Sequence, residues 1–357
     1  MSTNLSVNYK AGMYLLNEIS SQDRAWSDLI PLILESRQAI RELFTGIESV
    51  IFTGCGSALN ASLTAAPLFQ MLTGISAIAL PAAETYLFPR AYMPSDKRAL
   101  VILLSRSGKT TEVLRSLDYF HRRKILTLGV TCTSDSPLAL NSDLALVLTP
   151  LIERAVATTR SLTGMILASQ LLSAIVADNE SYLEQLQRLP EVLAGKKDEF
   201  HSLGKLIGEE VALNRYAFVG NGPLYGCARE CQLKIKEMTL LPADSYPMFD
   251  FRHGPKSNVS PQMLLTAFLS DTARRPETLF LKDMRSLGGV TWAICERGDK
   301  MIQAYTQYVL ELESNLSEMA RLPLYLPAVQ YMAYYRALSL DLNPDEPHNL
   351  SYWVEIS

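Results

Sequence analysis

Short apolar runs alternate with longer amphipathic stretches along this chain, and the alternation predicts strands and helices in turn. Residues 8–45 place an apolar side chain at every third or fourth position, which is typical of helices. Five apolar runs of strand length follow, at residues 50–53, 75–80, 99–104, 125–131 and 144–148. Helices are predicted after the first and third runs, at residues 58–72 and 111–122. The runs are apolar throughout, as expected for parallel strands with helices on both faces of the sheet.

The pattern restarts in the second half of the chain. A long helical stretch at residues 155–179 and a charged linker helix at residues 191–199 separate the two halves. Further strands are predicted at residues 216–219, 264–269, 289–294 and 301–305, with a helix at residues 224–239. In both halves the first strand runs into Gly-x-Gly and then a helix, which indicates a duplicated fold. The sequence therefore predicts two α/β domains, each with a doubly wound parallel sheet.

Changes in the pattern divide the chain into four predicted segments. They are an N-terminal helical segment at residues 1–45, a first domain at 46–190, a second domain at 191–340 and a C-terminal tail at 341–357. We expect the tail to close the functional site.

Composition and charge exclude several classes of function. With 33 Lys and Arg against 37 Asp and Glu, the net charge is −4, and no basic block favours nucleic acid. The five cysteines form no Cys-x-x-Cys pair, so neither a disulfide framework nor a zinc site is predicted. The N-terminus lacks the pattern of a signal peptide, and no apolar run reaches the ~18 residues of a membrane span. We expect a cytoplasmic protein that needs no metal and no membrane.

The predicted strand at residues 99–104 runs into a loop of small and hydroxyl-bearing residues. This loop, which we call the serine loop, reads Ser105-Arg106-Ser107-Gly108-Lys109-Thr110. Backbone N–H groups at a strand-to-helix junction favour an anion, and the hydroxyls of Ser105, Ser107 and Thr110 can donate to phosphate oxygens. The alternative is a plain helix N-cap at Ser107 or Thr110. The counterpart loop in the second domain reads Ser270-Asp271-Thr272, so one phosphate site per chain is expected, in the first domain.

Glycine pairs follow the first strand of each domain, at Gly54-Cys55-Gly56-Ser57 and at Gly220-Asn221-Gly222. A Gly-x-Gly turn can open a dinucleotide site, but neither pair extends to the full Gly-x-Gly-x-x-Gly pattern. A tight strand-to-helix turn explains both pairs equally well. No nucleotide cofactor is therefore predicted.

Two further segments carry side chains suited to proton transfer. On the helix predicted at residues 224–239, Glu230 and Glu237 share a face, and Lys234 lies between them. From this spacing alone, a solvated face of ion pairs is the favoured interpretation. His253 precedes a Gly-Pro pair that fixes its loop. Its imidazole is either an acid–base group or an ordinary loop histidine.

Taken together, these segments resemble the double sugar-isomerase (SIS) domain family over nearly the whole chain. That family includes the isomerase half of glucosamine-6-phosphate synthase and stand-alone sugar-phosphate ketose/aldose isomerases and deaminases. The motifs that carry the resemblance are Asn17-Glu18-Ile19-Ser20-Ser21-Gln22, the first glycine turn, the serine loop, residues 233–237, His253-Gly254-Pro255 and residues 343–350. The resemblance implies two flavodoxin-like domains arranged as a pseudo-repeat, and a homodimer.

The resemblance also implies roles for individual residues. Glu237 matches the carboxylate that moves a proton between carbons 1 and 2 of the sugar, and Lys234 matches a lysine on the same catalytic helix. His253 matches a ring-opening histidine that often enters the site from the neighbouring subunit. The matches to substrate-binding positions are Gly56, Ser57, Ser105, Arg106, Ser107, Thr110, Val156 and Thr158. Those in the serine loop are expected to hold the phosphate, and the last two to lie beside sugar hydroxyls.

Two departures from the family narrow the expected function. The tail lysine that can form an imine in glucosamine-6-phosphate synthase is replaced by Tyr352, so a Schiff base from that position is not expected. The chain also lacks that enzyme's glutaminase domain and is not expected to use glutamine. The resemblance implies an aldose–ketose isomerase or deaminase that acts on an amino-sugar 6-phosphate without a cofactor. The alternatives are a deglycase for fructosamine 6-phosphates and a non-catalytic sugar-phosphate sensor.

Overall fold

Two five-stranded sheets, flanked by helices, organise the chain. The computed structural model describes residues 10–92 and 98–356. The first sheet contains β1 (Ser49–Gly54), β2 (Ser76–Pro81), β3 (Ala99–Leu104), β4 (Leu126–Thr131) and β5 (Leu144–Val147). The second contains β6 (Arg215–Gly220), β7 (Ala243–Pro247), β8 (Met263–Phe268), β9 (Val290–Cys295) and β10 (Tyr308–Glu311).

The two sheets have the same strand order, which makes the halves a pseudo-repeat. The order is β2-β1-β3-β4-β5 in one and β7-β6-β8-β9-β10 in the other, and all neighbouring strands are parallel. The predicted pair of doubly wound α/β sheets is therefore confirmed. The ranges predicted for the domains, 46–190 and 191–340, contain one complete sheet each; the boundaries themselves stay predictions.

Helices connect the strands and cover both sheets. In the N-terminal segment and first half they are α1 (Met13–Ser20), α2 (Gln22–Glu35), α3 (Arg37–Leu43), α4 (Ser57–Thr73), α5 (Ala82–Leu87), α6 (Pro89–Tyr92), α7 (Thr111–Arg122), α8 (Pro137–Asn141) and α9 (Arg160–Val176). The others are α10 (Glu180–Gln187), α11 (Leu189–Gly208), α12 (Pro223–Thr239), α13 (Arg274–Ser286), α14 (Lys300–Tyr305) and α15 (Pro327–Ser339). Short 3-10 helices lie at Thr149–Leu151, Asp250–Arg252, Pro255–Asn258 and Leu322–Tyr325. Within the described residues, no helix combines the length and apolar character that crossing a bilayer requires.

The prediction of a strand at residues 301–305 is wrong. These residues belong to α14, because the Asp299 side chain accepts hydrogen bonds from the backbone N–H groups of Met301 and Ile302, both at 2.8 Å, and caps that helix. The edge strand of the second sheet follows later in the chain, as β10. A short apolar run fits either element, and only the cap and the packing decide between them.

Two other segments differ from the predictions. Helix α9 begins at Arg160 rather than at Ala155, because backbone groups of residues 155–159 bond to other parts of the fold; Val156 N–H, for example, donates to the Asp345 carbonyl at 2.9 Å. Strand β7 has no predicted counterpart. It is an edge strand of polar sequence and only partly buried, so it lacks the apolar run of the central strands.

Helices α4 and α12 pack against each other and join the two halves. Gly226 allows this close approach, because a Cβ atom there would lie 2.2 Å from Thr64 Oγ1 and 2.6 Å from the Thr64 backbone nitrogen. The contact places the first turn of α4 beside the middle of α12, where Ser57 Oγ donates to Glu230 at 3.0 Å. Side chains from both halves therefore meet at one place.

Candidate active site

A cavity of about 210 Å³ lies beyond the carboxyl ends of β1 and β3, where the strand order reverses. Ligands bind at this point in sheets of this topology. All of the residues matched to substrate-binding positions line it, namely Gly56, Ser57, Ser105, Arg106, Ser107, Thr110, Val156 and Thr158. Glu237 lines the same cavity from the second half of the chain. The fold thus brings the serine loop and this carboxylate together.

The serine loop is ordered by its own hydroxyl groups. Ser105 Oγ accepts from the backbone N–H of Gly108 at 3.1 Å and lies 3.1 Å from Thr110 Oγ1. Ser107 Oγ accepts from the backbone N–H of Lys109 at 3.1 Å, ahead of the first residue of α7. Thr110 is the N-cap of α7, yet its side chain makes no capping bond. A plain N-cap therefore does not account for these hydroxyls.

The Arg106 guanidinium points to neighbouring backbone rather than into an anion site. It donates to the carbonyls of Ala155 at 3.1 Å, Val156 at 2.8 Å and Tyr352 at 3.1 Å. It also pairs with Glu153 at 3.4 Å and stacks on the Tyr352 ring at 3.8 Å. Arg106 therefore holds the segment before α9 and the C-terminal tail against the serine loop. A direct bond from its side chain to phosphate stays a prediction.

Helix α12 carries a buried ion-pair network. Only 1% of the Lys234 side chain is exposed; its ammonium lies 3.3 Å from Glu230 Oε1 and donates to Glu237 Oε2. Burial lowers the pKa of Lys234, but the two carboxylates outweigh burial and raise it above its usual value. Burial raises the pKa of Glu230, and Lys234 lowers it in part. The interpretation as a solvated face of ion pairs is therefore wrong for Glu230 and Lys234.

Polar side chains of the first half complete this network. Lys234 donates to Thr158 Oγ1 at 3.1 Å and to Ser57 Oγ at 3.3 Å. Thr158 donates to Ser57 at 2.7 Å, and Asn60 Nδ2 donates to Glu230 Oε2 at 2.9 Å. Lys234 itself does not line the cavity, but it contacts Ser57, Thr158 and Glu237, which do. A catalytic role for Lys234 stays a prediction. Glu230 and Asn60 have no role predicted from the sequence; the four-residue spacing from Glu230 to Lys234 is the signal that points to Glu230.

Two buried carboxylates hold the segment before α9. Glu18 Oε1 accepts from the backbone N–H groups of Arg154 at 2.6 Å and Ala155 at 3.4 Å. Glu153 accepts from the backbone N–H of Thr159 at 2.9 Å and from its hydroxyl at 3.0 Å. These bonds replace the helical turn predicted for residues 155–159. Burial, together with the charge of Glu153, raises the pKa of Glu18 to about 7.

Glu18→Gln is expected to change how stability depends on pH. The folded protein keeps Glu18 protonated up to about pH 7, against about 4.5 for an ordinary Glu. The wild type therefore binds more protons when folded, and its stability falls as pH rises between these values, by at most about 1.4 kcal/mol per pH unit. Glutamine stays neutral, so the variant should gain stability relative to wild type across this window. Urea unfolding at several pH values measures the difference.

The control for this experiment is Glu35→Gln, because Glu35 is exposed at the end of α2. Its stability should follow the wild-type pH profile. Parallel profiles for Glu18→Gln and wild type between pH 4.5 and 7 would show that Glu18 titrates normally in the folded state.

His253 does not reach this cavity within the chain. It lies exposed between the 3-10 helices Asp250–Arg252 and Pro255–Asn258, and it is absent from the cavity lining. The single chain therefore does not bring His253 to Glu237. Its action from a neighbouring subunit stays a prediction.

The C-terminal tail forms one wall of the cavity. Residues 350–354 line it, and Thr111 N–H in the first turn of α7 donates to the Val354 carbonyl at 3.3 Å. The Tyr352 hydroxyl donates to the Glu153 carbonyl at 3.0 Å. Cys55 also lines the cavity, and burial raises the pKa of its thiol to about 12, so it carries no thiolate near neutral pH. Among the described residues, no three His, Cys, Asp or Glu side chains gather as a metal site.

In the counterpart loop of the second half, at residues 270–272, the backbone N–H groups donate hydrogen bonds to carboxylates of the chain itself. Glu318 Oε2 accepts from the backbone N–H groups of Asp271 at 2.8 Å and Thr272 at 3.2 Å. Glu277 Oε2 accepts from the Ser270 N–H at 2.7 Å. These N–H groups are therefore already paired within the chain; the single phosphate site per chain stays a prediction.

The solved structures that share this fold include two sugar-phosphate enzymes, by their names. Glucosamine-6-phosphate deaminase from Thermotoga maritima is 27% identical, with a TM-score of 0.76 and coverage of 96% of this chain and 99% of that one. Tagatose-6-phosphate ketose/aldose isomerase from Escherichia coli is 24% identical, with a TM-score of 0.82 and coverage of 98% and 99%. The second likeness shows the fold alone.

The sequence relatives are also sugar-phosphate enzymes by name. Glutamine–fructose-6-phosphate aminotransferase (isomerizing) from Sulfurisphaera tokodaii is 27% identical over 347 residues, or 96% of this chain. The chain spans 56% of that relative's length. By their names, this relative and the two structural neighbours are all enzymes. The family model of the SIS domain matches residues 43–174 and 213–339. The chain therefore belongs to the SIS domain family.

Proposed function

We propose that this chain is an enzyme that isomerises or deaminates an amino-sugar 6-phosphate, with Glu237 moving the proton between carbons 1 and 2. The observation that carries the proposal is that the serine loop and Glu237 line one cavity. Hydroxyl and N–H groups at a strand-to-helix junction suit a phosphoryl group. A carboxylate within reach of the same ligand suits proton transfer. Relatives whose names denote sugar-phosphate enzymes support the same class.

The proposed chemistry needs one carboxylate and a fixed substrate. Aldose–ketose interconversion removes a proton next to a carbonyl or imine and returns it one carbon over. A single carboxylate on one face of the enediol or enolamine can perform both transfers. The bond from Lys234 holds Glu237 in place. Phosphate binding in the serine loop supplies binding energy remote from the reacting carbons.

The tail supports deamination of the substrate's own amine rather than an imine to the protein. Tyr352 occupies the tail position at the cavity, and its hydroxyl is bonded to the Glu153 carbonyl. A phenol cannot form a Schiff base with a sugar carbonyl. We therefore place the breaking C–N bond on the substrate, where water hydrolyses the imine and ammonia leaves.

A panel of phosphorylated sugars tests the proposal. The wild-type chain is incubated with glucosamine 6-phosphate, galactosamine 6-phosphate, fructosamine 6-phosphates and the matching unphosphorylated sugars, and amine release is measured. Ammonia from a hexosamine 6-phosphate supports the proposal. Amine release only from fructosamine phosphates identifies the deglycase instead. Tight binding without turnover, and without solvent deuterium at carbon 1 or 2, identifies a sensor.

Ser107→Ala is expected to weaken binding of the phosphorylated substrate by about 10- to 100-fold, which corresponds to a hydrogen bond to a charged group of roughly 1.5–3 kcal/mol. Binding of the unphosphorylated sugar should not change, because the lost hydroxyl is proposed to face the phosphate. Calorimetric titration with both ligands separates the two effects. Ser27→Ala, at an exposed position on α2, is the control. Equal losses for both ligands would contradict the assignment of the serine loop.

We also propose that the working site includes His253 from a second copy of the chain. Its exposure and its separation from the cavity support this, since a ring-opening group must reach the sugar. The homodimer stays part of the proposal.

A further inference from the structure

A second cavity, of about 140 Å³, also opens onto Glu237. Residues of the C-terminal segment line its other side, including Asn343, Glu346 and His348. Glu237 is the residue that the two cavities share, and 19% of its side chain is exposed. Glu237 therefore lies between the proposed substrate cavity and a separate, smaller space.

The second cavity suits water better than substrate. A water molecule takes about 30 Å³ in the liquid, so the cavity has room for a short chain of waters. Its lining combines polar groups with the apolar side chains of Met238, Leu240 and Leu342. Among the described residues, those with a titratable side chain in its lining are Glu237, Glu346 and His348.

The segment that carries His348 is anchored to the N-terminal helix. Asn343 Oδ1 accepts from the Gly12 N–H at 3.1 Å. The Asp345 carboxylate accepts from the N–H groups of Tyr14 at 3.2 Å and Leu15 at 2.7 Å. These bonds fix the backbone just before His348, while its own side chain stays exposed to solvent. His348 therefore lines the cavity and is also exposed to solvent.

We propose that His348 relays protons between Glu237 and solvent through this second cavity. The inference rests on the proposed function, because it concerns the proton that Glu237 takes from carbon 2. That proton passes from the carboxyl group through cavity water to one imidazole nitrogen, and the other nitrogen releases a proton to solvent. The reverse path returns a solvent proton to Glu237. No net bond is made or broken apart from this exchange, and an imidazole carries it out near neutral pH.

The experiment measures deuterium in the product for each turnover in D₂O. Wild type should incorporate solvent deuterium at the carbon that receives the proton. His348→Gln should lower the incorporation per turnover at least fivefold, with KM within about twofold of wild type, because more of the original hydrogen is returned. Added imidazole should restore incorporation, since the vacated position is open to solvent. A merely structural role of His348 would not give this rescue.

Three further variants make the result specific. His121→Gln, an exposed histidine at the end of α7, should behave as wild type. His253→Gln should lower turnover of ring-form sugars without changing deuterium per turnover. His348→Asn is the second substitution, in case the first one perturbs folding.

The outcomes separate this inference from the proposed function. Normal turnover with unchanged deuterium incorporation in both His348 variants overturns the relay alone. A fall in turnover and exchange by the same factor, without rescue by imidazole, also overturns it. Absence of turnover by wild type on every amino-sugar phosphate overturns the proposed function, and the relay with it.

Discussion

Glu237→Gln is expected to reduce turnover of the amino-sugar phosphate by about 10³-fold or more, while binding changes only a few fold. Glutamine keeps the size of the side chain and one acceptor oxygen, but it cannot hold the proton taken from carbon 2. A general acid–base group contributes about 10²–10⁴-fold, and here one carboxylate is proposed to serve both transfers. Amine release measures turnover, and calorimetry on the same preparation measures binding.

The matched control is Glu184→Gln, which makes the same chemical change at an exposed position on α10. Its turnover and its substrate binding should equal those of wild type. A Glu237→Gln protein that retains wild-type turnover would show that another group moves the proton. A large loss of binding as well as turnover would indicate that Glu237 holds the substrate rather than transferring its proton.

Lys234→Met is expected to lower the free energy of unfolding by about 3–5 kcal/mol, the usual cost of breaking a buried ion pair from one side. The Lys234 and Glu230 side chains are each only 1% exposed. Methionine has a similar length but no charge, so Glu230 would be left buried without its cation, as would the partly exposed Glu237. Turnover should fall too, because Glu237 loses the bond that orients it. Urea unfolding at neutral pH measures the stability change.

Lys236→Met is the control, since it lies on the same helix with its side chain exposed. It should change stability by less than about 0.5 kcal/mol. The double variant Glu230→Gln/Lys234→Met should recover part of the loss, because the most deeply buried carboxylate is then neutral. If Lys234→Met were as stable as Lys236→Met, the buried ammonium would not be compensating these carboxylates.

The central strands could be predicted from the sequence because they carry continuous apolar runs. These runs are buried almost throughout in the structure, so an apolar run in the sequence corresponds to a buried strand. They are β1, β3, β4, β6, β8 and β9. Elements at the edges of the second sheet were harder to predict from the sequence. Strand β7 is polar and partly exposed, and the apolar residues at 301–305 proved helical because Asp299 caps them. In both places packing and capping outweigh the periodicity of the residues.

Two of the loops that line the cavity could also be recognised in the sequence, because each directly follows an apolar strand. The turn at Gly56-Ser57 and the serine loop directly follow strands whose carboxyl ends meet at one edge of a sheet. The parallel pairing of β1 with β3 brings these two loops together. The sequence by itself determined the duplicated α/β fold and the family motifs, including two of the loops that line this cavity.

Only the tertiary structure decided what several of the charged side chains do. Spacing along α12 is the same for a solvated face and a buried network, and the contact of α4 with α12 made Lys234 buried. The Arg106 side chain turned to backbone carbonyls from distant segments, and His253 came to lie away from Glu237. The surroundings of Lys234, Arg106 and His253 have one physical reason in common. The desolvation and pairing of a charge depend on neighbours far away in the sequence, and local pattern contains no information about them.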